Sequence, residues 1–406
     1  MPTTSSTCSR AGEQPTAALD TNALLWPLAG NSRLDSGAAE SPIAGRQGTV
    51  SGVRIVITGA SGNVGTALLQ RLTSHDLVGI ARRPPVTTDP PYGDVTWRSI
   101  DVSTATAARD LRAAFQGADA VVHLVWAFQP TRRTEYLRRV GVGGTQAVVE
   151  AVAAAGVPHL VHMSSVGAYA PGAYGTRVDE NWPTTGTADF SYSNHKAAAE
   201  RVLDELERTD PPDLTVARVR PGLVVQRQAA SALLRYGAPG IFAPGLLRYV
   251  ALLPLDKDFV VPVVHAADVA DAVARIVEQT ANGAFNLAAE PPVTRDVIAR
   301  LLGARTISAS HRLLRTAASL SWRLRVQPVD PGWVDLAFGV PLLDTTRART
   351  QLGWRPRYDS REAVADLLGG MVDRAGTASP ALRPRSVIGQ LTQAARQGAI
   401  TDRLVP

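Results

Sequence analysis

Short apolar runs alternate along the chain with longer segments in which apolar residues recur every three or four positions. The first run is Val53–Thr58, followed by Gly62–Leu72, where Val64, Leu68, Leu69 and Leu72 form one helical stripe. Leu77–Ile80 and Val95–Ile100 read as the next strands, and Thr104–Phe115 as a helix. Ala120–Leu124 predicts a fourth strand and Thr134–Ala155 a longer helix, stopped by Gly156 and Pro158. His159–Met163 predicts a fifth strand, Tyr192–Arg208 a helix ended by Pro211 and Pro212, and Leu214–Val219 a sixth strand. Strands buried on both faces and joined by helical crossovers belong to parallel sheets. The fold class expected is therefore α/β, a Rossmann-type doubly wound parallel sheet with a small C-terminal lobe that binds substrate.

After Pro221 the rhythm loosens. Phe259–Val264 reads as a strand, Ala267–Glu278 as a helix and Ala284–Leu287 as one more sheet strand. Leu313–Val326 mixes leucines and Trp322 with arginines; a lobe helix packed on the sheet is favoured over one lying on a membrane surface. These patterns divide the chain into 51–225, a dinucleotide-binding domain with the catalytic residues, and 226–370, a mixed substrate lobe with returning sheet elements. The stretch 371–406 reads as a flexible tail, with little to anchor it after Gly376. Residues 1–50 are rich in Ser, Thr, Ala and Gly without a period, and read as a disordered extension. The abrupt onset at Val53 is what a start assigned too far upstream would produce.

Composition narrows the function. The chain has 406 residues, 45% hydrophobic and 19% charged, enough for a large core. The net charge is +6, but the arginines are scattered, which argues against nucleic-acid binding. Cys8 is the single cysteine, so neither a disulfide nor a cysteine zinc site is expected, and no metal is assigned. No apolar run is long enough to span a membrane, and no secretion signal is recognisable, so the expected location is cytoplasmic.

Two groups of residues carry chemistry. Thr58-Gly59-Ala60-Ser61-Gly62-Asn63-Val64-Gly65 lies between the first strand and first helix. A dinucleotide pyrophosphate needs a tight turn, close backbone and a helix N-terminus, and glycines supply the first two. At the end of the second strand, where an acid would bond the ribose 2′-hydroxyl of NAD, stand Arg82 and Arg83. NADP is therefore preferred over NAD. Asp101, followed by Val102, is placed either to accept from the adenine amino group or to cap the next helix. Leu124, at the end of the fourth strand, and Pro221, after the sixth, complete the expected cofactor site.

In Tyr192-Ser193-Asn194-His195-Lys196, positions four apart share a helix face, so Tyr192 and Lys196 point the same way. Lowering a tyrosine pKa from about 10 to about 7 takes roughly 4 kcal/mol, which a nearby ammonium and the positive nicotinamide ring both help to supply. Tyr192 would then exchange a proton with the substrate oxygen while Lys196 also grips the nicotinamide ribose. Ser165, closing the fifth strand, would orient the same oxygen. His195 reads as structural and His123 as packed beside the cofactor. Trp126 and Phe128 read as lining the substrate mouth or as core.

With these residues the chain resembles the extended short-chain dehydrogenase/reductase family, the NAD-dependent epimerases and dehydratases, over Val53–Leu368. Gly59, Gly62 and Gly65 match its glycine motif, Asp101 its acid after strand three, and Ser165, Tyr192 and Lys196 its catalytic set. Arg220-Pro221-Gly222 is similar to the turn beside the nicotinamide carboxamide. His265–Ala270, Leu343–Ala348 and Leu352-Gly353-Trp354 resemble later motifs, with Asp268 read as an N-cap. The resemblance implies a small-molecule substrate and a homodimer. Two departures stand out. Gly141 occupies the place where the family often has the asparagine of Asn-x-x-Gly-Thr. Val166 and Gly167 follow Ser165 where sugar dehydratases carry acids, which argues against water elimination. The expected function is an NAD(P)-dependent oxidoreductase or epimerase acting at a hydroxyl or carbonyl carbon. The alternatives are a nucleotide-sugar epimerase and a dinucleotide-sensing regulatory protein, against which the Tyr–Lys pair counts.

Overall fold

The computed structural model describes residues 52–128, 132–187, 190–209, 213–237, 249–324 and 330–384. Seven strands build one sheet: β1 (Arg54–Thr58), β2 (Asp76–Ala81), β3 (Thr96–Ser99), β4 (Ala120–His123), β5 (His159–Met163), β6 (Thr215–Pro221) and β7 (Gly283–Leu287). Their order is β7-β6-β5-β4-β1-β2-β3, and each neighbouring pair is parallel. This is the doubly wound arrangement expected. The central strand β1 buries Ile55, Val56 and Ile57 completely, which is why its sequence is apolar without alternation.

Helices α1 (Asn63–Arg71) and α5 (Ala266–Glu278) cover one face; α2 (Ala107–Phe115), α3 (Gly144–Ala155) and α4 (Ser191–Thr209) cover the other. Connections from β1 leave in opposite directions, so a crevice opens at the carboxyl ends of β1 and β4. Ligands of open α/β sheets bind at such switch points. Thr58, at the end of β1, is in register with Ile80 on one side and His123 on the other.

Several predicted elements differ. The helix over 134–155 is interrupted: Thr134–Arg138 is α-helical, Arg139–Gly143 a π turn, and α3 follows. The strand over 259–264 is split at Pro262, which has no amide hydrogen to continue a ladder. Val260–Val261 pairs with Val293–Thr294, whereas Val263–His265 pairs with Leu223–Val225. A separate lobe core gathers Val225, Ala230, Val263, Val293, Ala363, Val364 and Leu367. The helix expected on the sheet is His311–Arg323. It buries none of its residues and instead lies beside helix Gly332–Gly339, tied through His311 and Arg315 to Asp335. Asp268 is not an N-cap. His265 caps α5, and the Asp268 carboxylate accepts the amides of Arg357 and Tyr358, pinning the returning chain. The extension 1–50 and the tail beyond Pro384 lie outside the described residues.

Candidate active site

The glycine turn sits at the switch point. Gly59 has φ +74, and a Cβ there would lie 3.0 Å from the Val125 amide nitrogen. A Cβ on Gly65 would lie 2.4 Å from the Gly59 carbonyl oxygen, so only glycine lets α1 start so close to β1. Gly59, Ser61 and Gly62 line an open cleft at the helix N-terminus. Arg82 and Arg83, Asp101 and Val102, and Leu124 line the same cleft. Arg82 donates to Tyr136 Oη at 3.0 Å. The Asp101 carboxylate accepts from the Ser103 amide and hydroxyl, and α2 starts farther on, after Thr106, whose side chain makes no capping bond. The cradle, which a Cβ would fill, fits a dinucleotide. Asn63 turns away: its amide bonds the Val224 carbonyl and Gln226. Asn63, Val64, Gly65 and Pro221 are not among the lining residues.

Residues 377–384 are anchored, contrary to expectation. Ser379 is fully buried and its hydroxyl donates to the Ser61 carbonyl at 2.6 Å. Tyr92 Oη, itself bonded to Thr66, donates to Thr377 at 2.8 Å, and Leu382 is buried against Ala229 and Ala232. Pro380 and Ala381 consequently form one wall of the cleft. A strap spaced 318 residues from its partner is invisible to any local pattern.

The residues predicted to react gather at the end of β5 and the start of α4. Tyr192 Oη donates to Ser165 Oγ at 3.1 Å, and Ser165 Oγ also accepts the Gly167 amide at 3.0 Å. Ser193 ties helix to loop by donating to the Gly167 carbonyl and accepting from Thr187. Lys196 Nζ donates to the Met163 carbonyl at 2.9 Å and lies 3.5 Å from the centre of the Trp126 ring. Trp126 also lines the cleft, so one indole touches both the cofactor cleft and the ammonium. Neither Tyr192 nor Lys196 lines the cleft itself.

Electrostatics differ from the expectation for Tyr192. Burial pushes its pKa up to about 12, and only the Ser165 hydrogen bond opposes it. Burial pushes Lys196 down to about 7, against the pull of Glu200. Lys196 has therefore lost its charge well below the pH at which the phenol would ionise, and does not lower it. His123 is buried between Thr58 and Thr145, and burial takes its pKa down to about 3, a neutral packing residue.

Glu200, which the sequence reading did not single out, sits beside the candidate site. It is completely buried one turn beyond Lys196. It accepts from Ser164 at 2.5 Å, from Arg220 at 2.8 and 3.0 Å, and from Arg218 at 3.1 Å. Its position four after Lys196 was the one available signal. Among the described residues no group of three or more metal-ligating side chains is gathered, and no helix is long and apolar enough to cross a membrane.

Residues 55–288 match the NAD dependent epimerase/dehydratase family, and the chain belongs to that family. It is 26% identical over 328 residues to an uncharacterized protein of Mycobacterium tuberculosis, covering 80% of this chain and 31% of that one. The chain thus spans about a third of the length of that relative. A 3-diazoavenalumate denitrifying reductase from a Streptomyces species is 29% identical, covering 76% of this chain and 97% of the reductase. Among solved structures, UDP-glucose 4-epimerase of Thermus thermophilus in complex with NAD superposes with a TM-score of 0.59 at 19% identity, covering 79% of this chain and 99% of the epimerase. That last likeness establishes the fold.

Proposed function

We propose that this chain is an NADP-preferring oxidoreductase acting at a carbonyl or hydroxyl-bearing carbon of a small molecule. The observation that carries this reading is the 3.1 Å contact of Tyr192 Oη with Ser165 Oγ, one helical turn from Lys196, whose ammonium lies on the Trp126 ring that lines the glycine cleft. The nicotinamide dinucleotide, when bound, supplies or accepts the hydride. Gly59, Ser61 and Gly62 would hold its pyrophosphate and Arg82 with Arg83 its 2′-phosphate.

Ser165 Oγ already accepts two hydrogen bonds, so its own proton is left to point at a substrate oxygen. Tyr192, kept protonated by its enclosure, is equipped to donate to the same oxygen as negative charge grows there. That protonation state suits carbonyl reduction. Lys196 adds positive potential beside the site at and below pH about 7. In this reading residues 51–225 hold cofactor and reacting groups, and the lobe within 226–370 covers the substrate.

Tyr192→Phe should lower kcat by about 10²- to 10⁴-fold, the usual worth of a positioned acid. NADPH affinity should stay unchanged. Full turnover in that variant would overturn the assignment. The strap over the glycine turn favours a second reading, a redox-neutral epimerase that keeps its dinucleotide between turnovers. Acid extraction of the purified protein distinguishes them: stoichiometric oxidised cofactor supports the epimerase, and freely exchanging NADPH supports the reductase.

A further inference from the structure

Tyr192 is surrounded by aromatic rings from three separate segments. Phe128 and Trp126 meet it edge-on, at 5.5 and 6.3 Å between ring centres, and Phe190 and Trp333 are tilted against it at 6.1 and 5.1 Å. Phe128 and Phe190 also meet Trp333 edge-on, at 4.8 and 5.2 Å.

Three glycines make this box sterically possible. A Cβ on Gly141 would lie 2.9 Å from the Trp126 ring. One on Gly167 would lie 2.9 Å from Tyr192 Cε1, and one on Gly332 would lie 2.2 Å from Phe190 Cδ2. Gly141 stands where a polar asparagine is frequent in similar chains. Here its missing side chain admits an indole, so a hydrogen-bonding group has given way to a π face.

We infer that the substrate side of Tyr192 is built for a planar aromatic carbonyl compound, an aryl ketone or aldehyde or the matching carbinol, seated against Phe128, Phe190 and Trp333. This rests on the proposed oxidoreductase reading. Aromatic rings pair favourably edge-to-face and offset at these spacings. A sugar placed there instead would lose the water that solvates its hydroxyls and gain no partners from ring carbons. Seating such a compound requires Trp333 to part from Tyr192. Trp333 belongs to helix Gly332–Gly339, which buries no residue except Gly332 and lies outside the sheet core, so the movement is assigned there. In the reductive direction the carbonyl carbon gains a hydride from the reduced dinucleotide, which becomes oxidised, and the carbonyl oxygen takes the Tyr192 proton.

The test uses the full chain and measures binding as well as turnover. Acetophenone, 2-butanone and UDP-glucose are compared by calorimetry, with and without NADP⁺, and acetophenone and 2-butanone also as substrates with NADPH. Acetophenone should be preferred over 2-butanone by about 10- to 100-fold in kcat/KM, the range apolar pocket contacts achieve. UDP-glucose should show no saturable binding. Trp333→Ala should raise KM for acetophenone about tenfold with NADPH affinity unchanged, and Trp333→Phe should restore it, because a ring is needed and not mere bulk. Acetophenone binding no tighter than 2-butanone or UDP-glucose, in either cofactor state, overturns the inference. Equal behaviour of the alanine and phenylalanine variants does so too. Failure of NADPH itself to bind would instead refute the dinucleotide reading, leaving the binding comparison without cofactor to decide the aromatic one.

Discussion

Replacing Glu200 by glutamine should expose how the reacting residues are held. The carboxylate accepts four hydrogen bonds and is shared by two guanidiniums whose side chains are 8% and 6% exposed. Glutamine keeps the shape, removes the charge and turns one acceptor oxygen into a donor. That nitrogen is best tolerated opposite Ser164, whose hydroxyl can rotate to accept, but it then faces Arg220 Nε donor to donor. Arg218 retains Asp204 and Glu207. Arg220 retains only neutral partners, Tyr169 Oη and the Glu180 carbonyl. Breaking a buried ion pair from one side costs about 3–5 kcal/mol. That is a large share of the roughly 5–15 kcal/mol by which domains are stable. Urea unfolding of wild type and Glu200→Gln should show this loss. Asp204→Asn, at a carboxylate that is itself 57% exposed, should cost less than about 1 kcal/mol. A Glu200→Gln loss as small as that of Asp204→Asn would refute the reasoning. The pH dependence has a definite sign. Burial raises the Glu200 pKa, but Arg220, Ser164 and Arg218 outweigh it and hold the group below the ordinary 4.5. Its stabilisation is therefore present above pH 4.5 and lost as pH falls through the lower folded value, a slope the glutamine variant should lack.

Two further outcomes bear on the cleft. Ser379→Ala strands the buried Ser61 carbonyl and should cost about 1–3 kcal/mol of stability in urea. It should also speed release of bound NADPH in stopped-flow displacement, and an unchanged rate would remove the strap from the cofactor site. Arg82→Ser should weaken NADPH by about tenfold or more, the worth of a charge-assisted bond, and leave NADH unaffected. Parallel weakening of both cofactors by fluorescence titration would show that Arg82 does not read the 2′-phosphate.

The sequence alone determined what depends on neighbours in the chain. Ile55–Ile57 read as a strand because both faces are buried, and the stripe through Leu68 and Leu69 read as a helix because one face is. Gly59, Gly62 and Gly65 marked the cradle, since only missing side chains permit that turn. Tyr192 and Lys196 marked the proposed proton-transfer face through their four-residue spacing. Tertiary structure decided what depends on residues distant in the chain. Ser379 reaches Ser61, Arg218 and Arg220 converge on Glu200, and Trp333 meets Phe128, none of which leaves a periodic trace. It also set the charges of the protein's own groups: the expectation of an acidified Tyr192 counted on a nearby ammonium together with the positive nicotinamide ring, and of these the ammonium is itself pushed down to about 7. Packing turned Lys196 toward Trp126 and Met163 and enclosed both groups, and burial penalises whichever form is charged.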